Sequence, residues 1–220
     1  MIYPTIVVDD FFKYPNNIKK LSQDLIYEKD KDGKWPGVRS KSIHEINYEF
    51  FNFFHLKILS LLYPNDYQQM IFTASTFFQK VSGKRYPHSG WIHSDSPCEF
   101  TAIVYLSNHK NCGTSFWKKN NFYNTESTAK QKHDFYKQDI FNQQQLNILN
   151  EHNSNYEKTL TVDSIFNRLV IFDSSQNHSA EGFIDNNIQE DRLTLITFVE
   201  KIDIINSKIK YPIPESNRLD

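Results

Sequence analysis

The apolar positions follow a helical period at the start of the chain and a strand period from about residue 70 onward. Residues 6–12 (Ile-Val-Val-Asp-Asp-Phe-Phe) predict a short strand turning into a helix, with Pro15 suited to a first helical turn. Ile18, Leu21, Leu25 and Ile26 recur at helical spacing, which predicts an amphipathic helix to about Glu28. A charged loop around Gly33 follows, and Trp35-Pro36-Gly37-Val38-Arg39 is too rich in Pro and Gly for a regular element. Phe50, Phe51, Phe54, Ile58, Leu61 and Leu62 predict a second helix over residues 48–63, stopped before Pro64.

Residues 71–81 are β-branched and aromatic-rich and predict a strand. Residues 99–107 predict another, in which Phe100, Ala102, Val104 and Leu106 alternate with Thr101, Ile103 and Tyr105. Both sets are largely apolar, so the sheet is expected to be covered on both faces. Short strands are predicted at 113–117, 160–165 and 168–172, and a last one at 191–200. Residues 120–156 break this pattern with polar sequence and a helical segment around 143–152, a long excursion that suits a lid or binding loop as well as a solvated insertion. Helices followed by strands give a mainly β architecture with flanking α-helices, a sandwich or barrel.

Composition narrows the class. The chain has 220 residues, 39% of them apolar, enough for one domain with a sizeable core. Its net charge of -1 offers no sequence-wide basic surface for nucleic acid, and Lys130, Lys132 and Lys137 form only a modest basic cluster in the excursion. No apolar run approaches the roughly 18 residues of a membrane span. The start of the chain lacks the basic and apolar segments of a signal peptide, so a cytoplasmic location is expected. Cys98 and Cys112 are expected to be free thiols.

The chemistry concentrates in Trp91-Ile92-His93-Ser94-Asp95. In an extended segment the side-chain period is two, so His93 and Asp95 share a face. An imidazole and a carboxylate so placed offer two neighbouring positions to an octahedral metal and need a second imidazole. His178, after the apolar strand 169–172 and a turn-rich stretch, supplies a candidate. Two histidines and a carboxylate on one face of a metal are the signature of non-haem Fe(II) oxygenases. Arg192-X-Thr194 lies fourteen residues beyond His178. Its guanidinium fork is suited to binding a carboxylate bidentately. Arg168 is the nearby competitor for that role. His88 lies five residues from His93, off its strand face; His44, His55, His109, His133 and His152 have no spacing that argues for anything but the surface.

With these residues in order, the chain resembles the 2-oxoglutarate- and Fe(II)-dependent dioxygenases, in particular their prolyl-hydroxylase-like branch, over about residues 71–199. Thr101-Ala102-Ile103-Val104-Tyr105-Leu106-Ser107 resembles the strand after His-X-Asp in that branch, and Cys112-Gly113-Thr114-Ser115-Phe116 its Gly-Gly-X-X-Phe-like turn, with Cys112 in place of the first Gly. Residues 167–172 with His178-Ser179 resemble the strand and turn that deliver the distal histidine. The resemblance implies a double-stranded β-helix core (jelly-roll, cupin-like) spanning residues 70–200 of a single domain. Residues 1–69 would form a helical support, 120–156 an insertion and 201–220 a tail. It implies Fe(II) on His93, Asp95 and His178, and 2-oxoglutarate gripped by Arg192, Thr194 and Tyr105. With O2, the products would be succinate, CO2 and a hydroxylated peptide, protein side chain or small molecule. Phe77, Ile103 and Phe198 are expected as apolar walls, and residues 181–190 as an extended loop. A cupin-like metal protein without 2-oxoglutarate and a non-catalytic β-barrel module stay open on the sequence alone.

Overall fold

The computed structural model describes residues 3–120, 128–138, 141–183 and 190–204. Along the chain run β1 (Ile6–Val8), α1 (Pro15–Gln23), β2 (Tyr27–Lys29), β3 (Val38–Ser40), α2 (Ile43–Ile46), α3 (Tyr48–Leu62), β4 (Met70–Val81) and β5 (Phe100–Tyr105). Then come β6 (Thr114–Lys119), α4 (Thr128–Lys137), α5 (Gln143–Asn153), β7 (Tyr156–Val162), β8 (Leu169–Asp173), β9 (His178–Ala180) and β10 (Arg192–Ile204). Two antiparallel sheets result, one of seven strands in the order β1-β8-β5-β10-β4-β3-β2 and one of three, β7-β6-β9.

Strand alternation divides the buried residues of the large sheet between two cores. Phe100, Ala102 and Val104 of β5, with Leu193, Leu195 and Val199 of β10, face the helical layer. There they meet Phe51, Phe54, Ile58 and Leu59 of α3 and Phe11 and Phe12 of the first turn. The intervening residues Ile103, Tyr105 and Ile196 pack instead with Phe116 and Val162 of the small sheet and Val170 and Phe172 of β8. Both faces of the large sheet are therefore covered, as two apolar faces on β5 predict. α3 starts where the Asn47 side chain accepts from the Phe50 N–H at 2.9 Å, an N-cap, and ends before Pro64.

Three local expectations are corrected. The first helix stops at Gln23, and β2 begins at Tyr27, whose hydroxyl donates to the Ser22 carbonyl at 2.8 Å. Leu25 and Ile26 continued the helical spacing by coincidence, and Ile26 is exposed. The Pro/Gly stretch leads directly into β3, an inner strand paired with β4 on one side and with the edge strand β2 on the other. Gly37 permits this: its φ is +71°, and a Cβ there would lie 2.1 Å from the Lys80 carbonyl oxygen. The last strand also outruns its predicted end at 200, pairing as far as Ile204 with Met70 after a bulge between Val199 and Lys201. Cys98 and Cys112 are not joined to each other. Among the described residues no helix is long and apolar enough to cross a membrane.

Candidate metal centre

Main-chain pairing brings the separated pieces of the constellation together. His93 and His178 form an antiparallel bridge, each N–H donating to the other's carbonyl at 3.0 and 2.8 Å. Directly paired residues send their side chains to the same side, and the two imidazole centroids are 4.6 Å apart. The Gly90 N–H donates to the Ala180 carbonyl at 2.8 Å, and a Cβ on Gly90 would lie 2.8 Å from the Ala180 nitrogen. Asp95 is anchored through its N–H to the Ser174 carbonyl at 2.8 Å. Its Oδ2 accepts from the Thr101 hydroxyl, also at 2.8 Å.

One ligand atom from each of His93, Asp95 and His178 lies within 4.8 Å of the others. His93 Nε2 is 3.5 Å from Asp95 Oδ1, and His178 Nε2 is 3.3 Å from Asp95 Oδ2. The opposite ring nitrogens are already engaged: His93 Nδ1 meets the Trp91 carbonyl at 2.8 Å and His178 Nδ1 the Gln176 carbonyl at 3.0 Å. A carbonyl only accepts, so each Nδ1 carries the hydrogen, and in the neutral imidazoles both Nε2 lone pairs face inward. Burial, aided by the charge of Lys132, pushes the His93 imidazole down to about 4, which favours its neutral form. Burial alone would raise the Asp95 carboxyl; positive charge and donated hydrogens at His178 and His93 hold it well below the usual carboxylate range, a role a bound cation takes over when both imidazoles are neutral. Three electron-rich atoms thus converge without hydrogens to share between them, and a divalent cation satisfies all three. The nitrogen and oxygen donors fit Fe(II) and leave one side of the cation open.

The helical insertion positions this segment. The Trp91 N–H donates to the Tyr136 hydroxyl of α4 at 2.9 Å, and the Ile92 N–H to Asn153 Oδ1 of α5 at 3.1 Å. His152 stacks on Trp91 with centroids 4.3 Å apart and bonds the Ile92 carbonyl through Nε2 at 2.8 Å. Residues 128–138 and 141–153 therefore clamp the approach to His93 instead of standing off in solvent.

Beside the triad lies a cavity of about 240 Å³ that also takes in Thr114, Arg192 and Thr194. Arg192 is 6% exposed; its Nε donates to the Cys112 carbonyl at 2.7 Å, and among the described residues no carboxylate pairs with it. Burial pushes its guanidinium down, with Tyr105 and Cys112 opposing. Thr194 is paired across the sheet with Tyr105, whose ring centre is 5.5 Å from the Arg192 guanidinium and whose hydroxyl meets Thr114 at 2.7 Å. Arg168, the competitor, is spent elsewhere: its Nε and Nη2 grip both oxygens of Asp9 at 2.6 and 3.0 Å.

Of the expected walls, Ile103 and Phe198 line the cavity, whereas Phe77 packs behind them. Most of the expected 181–190 loop, residues 184–189, lies outside the described residues. Three histidines assigned to the surface, His55, His109 and His152, are buried. The basic cluster of the insertion dissolves: Lys130 and Lys137 lie 2.6 and 3.9 Å from Asp134, while Lys132 turns into the cavity. Arg39 and Gln79 line the cavity too, and in sequence Gln79 stands out only as a polar residue in an apolar strand.

A family model described as a family of unknown function (DUF6445) matches residues 2–199. No curated protein matches the sequence. Among solved structures, the chain is similar to SnoN, a non-haem alpha-ketoglutarate-dependent epimerase from nogalamycin biosynthesis. The TM-score is 0.51 at 13% identity, covering 98% of this chain and 86% of that one. It is also similar to HygX from Streptomyces hygroscopicus with nickel and 2-oxoglutarate bound (TM-score 0.54, 9% identity, 88% and 82% covered). A third is SnoK, a non-haem alpha-ketoglutarate-dependent carbocyclase from nogalamycin biosynthesis (TM-score 0.53, 9% identity, 89% and 79% covered). At these identities the likeness is one of fold.

Proposed function

This chain belongs to DUF6445, a family of unknown function, and we propose that it is an Fe(II)- and 2-oxoglutarate-dependent oxygenase. The observation that carries the reading is one cavity holding both a His-Asp-His donor set and a buried arginine with no carboxylate partner among the described residues. A metal protein with no dicarboxylate would have little use for Arg192, because an unpaired buried guanidinium is costly. The two facing sheets are read as a double-stranded β-helix, and solved structures of similar fold include enzymes named for alpha-ketoglutarate dependence.

His93, Asp95 and His178 hold the metal through Nε2, a carboxylate oxygen and Nε2, leaving up to three positions free. Arg192 grips the distal carboxylate of 2-oxoglutarate with its fork, and Thr194 and Tyr105 steady that end, as in the prolyl-hydroxylase-like branch. When bound, Fe(II) and 2-oxoglutarate supply O2-driven oxidation with succinate and CO2 as co-products. Hydroxylation of an unactivated C–H bond is the proposed outcome. Ile103, Ile196 and Phe198 wall the cavity and keep water from the reacting centre. Trp91 and Gln176, through their carbonyls, fix the imidazole orientations so that metal enters a preformed set.

Adding Fe(II) and 2-oxoglutarate anaerobically to the purified protein tests this. A weak visible metal-to-ligand charge-transfer band is expected, and it should vanish in His178→Ala. A parent protein that shows no band and binds neither component is not an oxygenase of this kind.

A further inference from the structure

Once Asp95 is assigned to the metal and Arg192 to 2-oxoglutarate, the cavity retains two cations, Arg39 and Lys132, with no ion-pair partner among the described residues. Among the described residues its lining carries Lys34, Arg39, Lys132 and Arg192 against a single carboxylate, Asp95. Lys34 is mostly exposed and lies 3.4 Å from Asp32. Arg39 and Lys132 form no ion pair among the described residues, although the charge of Asp95 acts on both and that of Asp30 on Arg39 as well. Among the described residues, Arg39 Nε is buried with no hydrogen-bond partner, and its Nη2 reaches the Gln79 amide oxygen at 3.4 Å. Burial pushes the Arg39 guanidinium down to about 10 and the Lys132 ammonium to about 8, so both are chiefly cationic at neutral pH.

Sheet register separates this pair from the cosubstrate end. Tyr105, Thr194, Gln79 and Arg39 stand opposite one another on the adjacent strands β5, β10, β4 and β3. Arg39 is thus two strand spacings from Thr194, roughly 10 Å. Its guanidinium lies 4.2 Å from the ring centre of Trp35 and 5.2 Å from that of Phe198. Such stacking holds a weakly hydrated fork in one orientation, a good receptor for a planar or tetrahedral oxyanion. Lys132 arrives from α4 as a compact second charge.

We propose that Arg39 and Lys132 recognise an oxyanion, a carboxylate or a phosphate monoester, on the primary substrate, so that the enzyme oxidises a small acidic molecule. The proposal rests on the oxygenase reading and adds the substrate class to it. An occupant of this kind supplies a counter-charge to Arg39 and Lys132 and lays its apolar part against Trp35 and Phe198. The size of the cavity, about 240 Å³ shared with 2-oxoglutarate, favours a small molecule.

The test is calorimetric titration of the full chain, loaded anaerobically with Fe(II) and saturating 2-oxoglutarate, with benzoate, phenyl phosphate and the neutral isostere benzamide. At least one anion is expected to bind about tenfold or more tightly than benzamide. Arg39→Gln and Lys132→Gln should each weaken that anion by about tenfold while the charge-transfer band forms as in the parent. Preference between benzoate and phenyl phosphate identifies the oxyanion. Absence of anion binding, equal binding of benzamide, or anion affinity unmoved in both variants overturns the proposal. Loss of the band in Arg39→Gln would assign Arg39 to the cosubstrate, overturning the proposal while the oxygenase reading stands. A parent without the band that still binds benzoate through Arg39 and Lys132 would sink the oxygenase reading and leave the anion site.

Discussion

The two faces of the seven-stranded sheet are made by the same strands and treat buried polar groups in opposite ways. On the helix side, β10 contributes Leu193, Leu195 and Val199 to a continuous apolar core, with one polar insertion. There His55 Nδ1 donates to the Phe51 carbonyl at 2.7 Å, its Nε2 accepts from Thr197 at 2.8 Å, and Thr197 meets Thr76 at 2.7 Å. Neutral His55 is satisfied at both ring nitrogens. On the other side, β10 presents Arg192, Thr194, Ile196 and Phe198, and the charge it buries has no carboxylate paired with it among the described residues. A closed polar network within a core serves the fold. Buried charge facing a cavity, with its partner missing, marks where a ligand belongs.

The comparison breaks most sharply where apolar packing alone is removed. Phe54 is 0% exposed and packs against Phe11 and Phe12 with ring centroids about 6 Å away. Phe54→Ala should cost about 3–5 kcal/mol of stability in urea unfolding while leaving 2-oxoglutarate affinity within about twofold. A change in cosubstrate affinity as large as the change in stability would mean that the two faces are coupled and not independent.

A smaller effect belongs to the polar network. Burial pushes His55 down to about 4 despite its bond to Phe51. The unfolded chain then takes up the proton first, near the ordinary histidine value of about 6.5. Stability supplied by neutral His55 is therefore complete above that pH, falls as pH drops toward 4, and levels off below. The loss across that window is roughly 3 kcal/mol. Unfolding midpoints measured from pH 7.5 to 4 should show it, and His55→Gln should flatten that part of the profile. An unchanged profile in the variant would assign the acid sensitivity to other groups, such as His93.

How much of this was readable beforehand follows from how local each determinant is. β4, β5 and β10 were legible because alternation is written into each strand, and the same period put His93 beside Asp95 and Arg192 beside Thr194. His178 became a candidate by its place after an apolar strand and a turn-rich stretch, and its meeting with His93 depends on a main-chain bridge that no spacing encodes. β2 and β3 are three residues each and exist because β4 offers an edge, not because of their own propensity. His55 looked like a surface residue because its partners, Thr76 and Thr197, are 21 and 142 residues away. Lys132 is hidden for the same reason: in a polar helix every lysine reads as solvated, and only the docking of α4 selects the one that turns inward. Arg39 sat in a stretch that predicted no element, so its direction was undetermined until β3 formed.

The least disruptive substitution tests the cavity side of the comparison. If Arg192 is a buried charge awaiting a carboxylate, then Arg192→Met removes an unpaired guanidinium and restores apolar packing against Tyr105. The lost bond to the Cys112 carbonyl opposes that gain. Without ligand, stability should therefore stay within about 1 kcal/mol of the parent or rise slightly. With Fe(II) present, 2-oxoglutarate affinity should fall by roughly 30-fold, the equivalent of about 2 kcal/mol for a charge-assisted contact. Metal binding through His93, Asp95 and His178 should survive. A structural arginine gives the reverse pattern, a loss of several kcal/mol in the ligand-free protein with cosubstrate affinity little changed. Unfolding and 2-oxoglutarate titration on the same variant separate the two, because Phe54→Ala and Arg192→Met are expected to move opposite observables.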